Sequence, residues 1–165
     1  MLTESARNYY LGQVYGLRAY YMYQLYRSWG DVVFTEEPSL GFEVGKLAKA
    51  ATPAAEIFEQ VKKDIESSLS YFGSDYTIKE KKSLWSKAAT LMLKADVYLW
   101  SAHRDGGEGD ARTAKNALVD IQNNISRSNL DLMDTYQGVF AYDNKGNKEI
   151  IFTIHNELFE YNLWN

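Results

Sequence analysis

Apolar and aromatic side chains recur at Tyr10, Val14, Leu17, Tyr21 and Leu25, in steps of four and three. That spacing marks one face of an α-helix and predicts a helix from about Glu4 to Ser28, with Thr3 as its N-cap. Tyr15, Tyr20, Tyr23 and Tyr26 fall on its other faces. A helix apolar on nearly every side is usually buried on nearly every side, so this stretch reads as a central helix in need of neighbours. Gly30 follows the last periodic residue and suits the left-handed conformation that ends a helix.

Residues 30–51 read as an irregular connection, with Val32-Val33-Phe34 briefly extended and Glu36, Glu37, Pro38, Gly41 and Gly45 interrupting any pattern. A second helix follows, capped by Thr52 with Pro53 at its first position. Its stripe is Ile57, Val61, Ile65 and Leu69, flanked by Phe58 and Phe72, and Gly73 ends it. A third helix starts near Ser86, with a tight side of Ala88, Leu91, Ala95, Tyr98 and Ala102 and a bulky side of Met92, Leu99 and Trp100. Arg104 to Gly109 is a Gly-rich turn. Asp110 then caps a fourth helix carrying Ala114, Ala117, Leu118, Ile121 and Ile125, which Asn129 terminates. The third and fourth helices are expected to pack antiparallel, Ala88, Ala95 and Ala102 against Ala114, Leu118 and Ile121. Beyond Asn129 the regular pattern fades. Thr135 to Phe140 suits one helical turn, Asn144 to Asn147 a turn, and Glu149 to His155 a strand or extended segment. The expected fold is mostly all-α, built of tetratricopeptide-like helical hairpins with a short extended C-terminal segment. No clean sequence period supports the repeat, which rests on the hairpins themselves.

Composition narrows the classes. The 165 residues suit a single region, 1–165, and 45% hydrophobic content can fill a core. A net charge of −4 without a basic run argues against nucleic acid. Cysteine is absent, which excludes disulfides and thiolate metal sites. No run of about 18 apolar residues spans a membrane. Thirteen tyrosines are the unusual feature. Most are expected to pack in or just under the surface, since a tyrosine joins a large apolar ring to a polar tip.

The order Gly12-Gln13-x-x-x-Leu17-Arg18-Ala19-Tyr20-Tyr21-x-x-x-Leu25-x-x-x-Trp29-Gly30-Asp31-Val32 resembles the signature of the SusD/RagB family. Ser86-Lys87-Ala88-Ala89 with Leu91, Leu93, Ala95, Val97, Tyr98 and Leu99 is similar to a second family segment. Ala114, Ala117 and Ile121 match the next helix, and Leu132, Tyr136, Phe140, Glu149, Ile151, Phe152 and Ile154 the segment after it. The chain departs from the family at Gln13, where Glu is usual, at Gly16, where a bulky residue is usual, and at Val33, where Pro is usual. Gly16 costs roughly 0.5–1 kcal/mol of helix stability against Ala and suggests a close helix crossing.

The resemblance implies an outer-membrane nutrient-uptake lipoprotein of a Gram-negative bacterium. Such a protein binds oligosaccharide or polysaccharide at the cell surface beside a SusC-like, TonB-dependent transporter. It implies a tetratricopeptide-like fold, no catalytic role, and attachment to the membrane only through a lipid. The family's secretory signal and lipid-bearing Cys do not occur in this chain, which is therefore expected to be an internal piece of a longer precursor. The alternative is a tetratricopeptide-type scaffold that binds a partner peptide or the transporter itself, without direct contact to glycan.

Candidate chemistry is sparse. A glycosidase needs two carboxyl groups across a cleft; Glu36-Glu37, Glu56-Glu59, Glu108-Asp110 and Asp131-Asp134 read as solvated surface. His103 and His155 lie in different elements, neither with the i,i+4 partner of a helical metal site, and Arg104 to Asp110 lacks the spacing of a calcium loop. No catalytic residue, metal site or cofactor is expected. Stacking of a pyranose needs an exposed aromatic ring at a loop or helix end. Trp29, placed in the signature, and Trp100, next to the alanine stripe, are expected to be structural. Tyr76, Trp85 and Tyr142 remain as candidate glycan platforms. The family signature marks scaffold, so no ligand contact carries over from it. Arg18, within a largely aromatic helix, is expected to pair with a carboxylate or a backbone carbonyl, with Asp31 and Asp96 as the candidate carboxylates. The aromatic first helix and the apolar end, Phe159 to Trp164, are expected to leave an uncovered apolar patch.

Overall fold

A computed structural model describes residues 2–37, 41, 45 and 48–154. Helix α1 (Glu4–Trp29) begins at Thr3, whose hydroxyl accepts a hydrogen bond from Ala6 N at 3.2 Å. It stops at Gly30, whose φ of 75° is a left-handed value that a residue with a Cβ rarely adopts. Asp31 then serves the next helix: its Oδ1 accepts from Ala54 N at 2.8 Å. Val32 and Thr52 exchange backbone hydrogen bonds in an isolated antiparallel bridge. Trp-Gly-Asp-Val is thus a stop, a cap and a clasp in succession, closing the neck of the long connection. Helix α2 (Ala54–Phe72) has Pro53 in the cap position. Its first N–H is satisfied by Asp31 across the neck, not by the expected Thr52.

Helix α3 (Lys87–Ser101) starts at Ser86, whose hydroxyl accepts from Ala89 N. Five residues, Ala102–Gly106, widen into a π turn, and α4 (Gly107–Asn123) follows directly. The Gly-rich stretch is therefore a distorted helical corner, and α4 begins three residues before the expected cap, Asp110. A single turn, α5 (Ile125–Ser128), ends at Asn129, which is left-handed as expected. After it come a short turn, α6 (Tyr136–Val139), and a 3-10 turn at Tyr142–Asn144.

Side-chain pairs fix the directions. Gly12 meets Ser68, Arg18 meets Asp64 and Tyr26 meets Phe58, so α1 and α2 run antiparallel. Ser68 meets Thr90 and Lys94 meets Glu66, so α3 turns back again. The order is up, down, up, down, two helical hairpins laid side by side.

Burial corrects the reading of α1. Tyr10, Val14 and Tyr21, on the expected inner face, are exposed, while Gly12, Gln13, Gly16, Ala19, Met22 and Tyr23 are buried. Small residues at Gly12, Gly16 and Ala19 let neighbours approach this face closely, and Met22 and Tyr23 fill the rest of it. A Cβ at Gly12 would stand 3.0 Å from the Phe72 ring, and one at Gly16 would overlap Trp85, 2.1 Å from Nε1. A tryptophan ring, not the helix crossing expected there, makes the close approach at Gly16. In α2 the expected stripe Ile57, Val61 and Ile65 is buried. In α3 two faces are buried, Ala89, Leu93 and Val97 toward the first hairpin and Ala88, Leu91 and Ala95 toward α4. Met92, Leu99 and Trp100 are exposed instead of packed. From α4, Ala114, Ala117 and Ile121 enter the contact; Leu118, expected there, is exposed.

Residues 130–154 run irregularly over the bundle and form no strand among the described residues. Lys82 holds them. Its ammonium donates to Asn147 O at 2.5 Å and its carbonyl accepts from Thr153 N at 2.9 Å. Burial lowers the Lys82 pKa below the ordinary lysine value. The Phe152 ring meets Trp85 edge-on at 5.1 Å, which explains the apolar residues of the extended segment. Residues Phe159 to Trp164, expected to carry exposed apolar surface, lie outside the described residues.

Candidate functional site

Arg18 sits in α1 where it faces the middle of α2. Its Nε and Nη2 donate to the two oxygens of Asp64 at 2.6 and 2.7 Å, and Gln60 donates to the same carboxylate at 2.9 Å. The Asp64 side chain is 2% exposed and that of Arg18 28%. The partner is Asp64, not Asp31 or Asp96; Asp31 caps α2, and Asp96 lies 3.8 Å from Arg27. The hydrogen bonds that Arg18 donates to Asp64 raise its pKa above the ordinary value. Together with Ser68, which donates to Gly12 O at 2.7 Å, this makes the signature a lock between two helices. The Arg18–Asp64 pair is committed to this helix contact.

Two of the three candidate platforms are core residues. Trp85 is 3% exposed, laid on Gly16, with its Nε1 donating to Thr90 at 2.8 Å. Tyr76 is 7% exposed; its hydroxyl donates to Asp120 at 2.6 Å, and Lys87 and Arg127 stand over its ring. Burial, then the bond to Asp120, pushes its pKa up to about 12. Neither ring offers a face on which a sugar can stack. Their position outside regular helix suggested exposure, but apolar rings at loops close the ends of a small bundle as readily as they face water. Tyr142, at 85% exposure, keeps the access that stacking needs. Tyr136 and Phe140, also exposed, lie nearby in the chain with ring centroids 5.1 Å apart. The Lys145 ammonium lies 4.1 Å from the Tyr142 ring centroid.

Two rings expected to be structural are outside. Trp29 is 71% exposed at the end of α1, and Trp100 is 37% exposed near the end of α3. Trp100 borders a cavity of about 480 Å³ at the helix ends. Its walls include Tyr26, Phe58, Lys62, Arg104 and Asp110. Spacing in α3 placed Trp100 beside the alanine stripe; the signal missed was Arg104, one turn further on, which makes an aromatic and a cation neighbours on one helix face. A second cavity, of about 370 Å³, lies between α1, α3 and residues 149–152. Its walls are mostly apolar, with Gln24, Asp96 and Glu149 at the margins.

The carboxylates are mostly paired with cations. Glu36 lies 3.7 Å from Arg18, Glu108 2.7 Å from Arg112 and Asp131 3.3 Å from Lys148. Glu59 and Asp110 border the same cavity, but Lys62 lies between them, at 3.3 and 3.9 Å. That is a salt-bridged cluster rather than an acid and a base set across a cleft. No group of three or more metal-ligating side chains occurs among the described residues. His103 is exposed on the π turn, and His155 lies outside the described residues.

Paired helices with small-residue contacts and aromatic rings at their ends define a tetratricopeptide-like helical-hairpin protein. No family model matches the chain. It is 34% identical to SusD-like protein P38 of Formosa agariphila over 113 residues, 67% of this chain and 20% of that one. A SusD-like protein of Bacteroides ovatus is 24% identical over 157 residues, 93% of this chain and 27% of that one. Among solved structures, NanU of B. fragilis superposes with a TM-score of 0.86 at 48% identity. A SusD superfamily protein from Bacteroides vulgatus gives 0.84 at 44%. Each superposition covers 99% of this chain and 32% of the other. The chain belongs to the SusD family. It spans 20% to 32% of the length of these four relatives.

Proposed function

We propose that this chain is the helical region of a surface glycan-binding protein, which captures oligosaccharides and passes them to a SusC-like, TonB-dependent transporter. Membership in the SusD family carries this reading. The geometry is consistent with it: the helices supply a rigid frame, and exposed rings stand at its ends and on the segment after α5. Binding, not catalysis, is the role proposed, with no cofactor or metal. No described helix is long and apolar enough to cross a membrane, and the outer membrane would be reached through a lipid anchor elsewhere in a longer chain. Residues 1–165 are read as one region of that chain, because the relatives extend well beyond the matched part.

The test is a glycan array probed with the full-length gene product, followed by pull-down from solubilised outer membranes. Binding to an oligosaccharide class and recovery of a TonB-dependent transporter are expected. Absence of any glycan binding with retained transporter binding would replace this reading with the scaffold alternative. The mostly apolar groove between α1, α3 and residues 149–152 gives that alternative its place.

A further inference from the structure

We propose that the cavity at the α3–α4 corner is a subsite for one pyranose ring, with Trp100 as the stacking platform and Arg104 and Asp110 as its hydrogen-bonding groups. The proposal rests on the glycan reading above and adds to it a place and a set of contacts.

Size and lining come first. A cavity of about 480 Å³ lies within the range of small-molecule sites, roughly 300–1,000 Å³. Tyr26 and Phe58, with centroids 5.0 Å apart, supply an apolar wall, and Trp100, 37% exposed with the Arg104 guanidinium 5.9 Å from its ring centroid, stands beside it. The charged groups are mixed in sign: Lys62 and Arg104 donate; Glu59, Asp105 and Asp110 accept. A pyranose has apolar C–H faces and a rim of hydroxyls that both donate and accept. Rings with donors and acceptors interleaved at the edge match that distribution, whereas a polyanion would require an excess of cations.

The corner is also shaped to present these groups. The π turn Ala102–Gly106 carries Arg104 and Asp105 to the cavity margin, and such turns recur at functional sites. A Cβ at Gly106 would stand 2.0 Å from Asp110 Oδ2. Only glycine there leaves room for the Asp110 carboxylate to fold back beside the cavity. The polar groups are loosely engaged: Arg104 makes a long cation–π contact with Trp100, 5.9 Å from the ring centroid, and its Nη1 reaches the Tyr26 hydroxyl only at 3.4 Å, while Asp110 reaches Lys62 only at 3.9 Å. Both retain hydrogen-bonding capacity for a ligand.

The probe is the oligosaccharide bound most tightly on the array, titrated by calorimetry into the full-length gene product. Trp100→Ala is expected to weaken binding about tenfold, the equivalent of roughly 1.4 kcal/mol. Arg104→Ala and Asp110→Asn should each weaken it severalfold, and Tyr10→Ala, at the far end of α1, should not change it. Tryptophan emission should shift on binding in the parent and lose that shift in Trp100→Phe, whose ring preserves packing. Undiminished affinity in Arg104→Ala, Asp110→Asn and Trp100→Phe, with loss in Tyr142→Ala, would overturn the subsite and leave the glycan reading intact. Absence of any bound oligosaccharide would overturn both.

Discussion

Between α1 and α2 the contact is ionic, hydrogen-bonded and aromatic, whereas α3 and α4 meet on alanines. In the first hairpin Arg18 grips Asp64 with two nitrogens, Ser68 reaches the Gly12 carbonyl, and the Phe72 ring lies on Gly12. In the second, Ala88, Ala95, Ala114 and Ala117 bring the backbones close, with Leu91 and Ile121 filling the remainder. A bidentate pair has one good geometry and so fixes the sliding register of the helices. An alanine contact derives its energy from closeness and dispersion, is less directional, and tolerates no added volume. One architecture is thus held by a specific lock on one side and by a tight fit on the other.

Removal of the lock should have the largest effect. Arg18→Ala leaves the Asp64 carboxylate buried with only Gln60 to bond it, a loss on the order of 3–4 kcal/mol in denaturant unfolding. Asp64→Ala should cost less, because Arg18 is partly exposed and has Glu36 at 3.7 Å. Equal losses would mean that the carboxylate is not stranded. The tight fit comes next. Ala95→Leu should cost roughly 1–3 kcal/mol by overpacking, and an unchanged midpoint would remove the close contact from the description. Gly16→Ala should cost a similar amount, about 1–3 kcal/mol, and unlike Ala95→Leu it should alter tryptophan emission, since its new methyl falls on Trp85. Preserved emission would mean that the ring moves aside freely.

The smallest effect compares one buried phenol from each half. Burial pushes Tyr23, on α1, up to about 12, and burial with Asp120 does the same to Tyr76, beside α4. A raised folded-state pKa contributes stability that is intact below the unfolded value of 10.0 and is lost as pH rises through about 12. Unfolding free energy should therefore fall across that window. Tyr76→Phe should flatten the slope and remove one late step from the tyrosinate absorbance titration. A slope unchanged by that substitution would assign the pH dependence to other groups.

Much of the frame was legible in the residue pattern. Thr3, Ser86, Gly30 and Asn129 mark boundaries because capping and left-handed backbone are local chemistry. The Ile57, Val61 and Ile65 stripe marks a buried face because its outward neighbours are charged. In α1 the same method was right for Leu17 and Leu25, which pack against the core, and wrong for Tyr10, Val14 and Tyr21, which face outward. Tyr10, Val14 and Tyr21 carry more apolar surface than Gly12, Gly16 and Ala19, yet closeness of packing decided the contact. The candidate site was less legible still. Tyr76 and Trp85 are buried and Trp29 and Trp100 exposed, the reverse of what their positions in the chain suggested.

The sequence alone determined what depends on neighbours a few residues apart: where helices start and stop, which are rich in small residues, and that one arginine in an aromatic helix needs a partner. It also carried the family, through residues that proved to be a lock, a cap and a clasp. Tertiary structure decided which carboxylate Arg18 meets, which face of α1 is covered, and that Trp100, Arg104 and Asp110 border one cavity. Those outcomes depend on helix crossings and on a π turn whose widening changes the direction of every side chain after it. A local pattern holds no record of distances between residues that become neighbours only when the chain has folded.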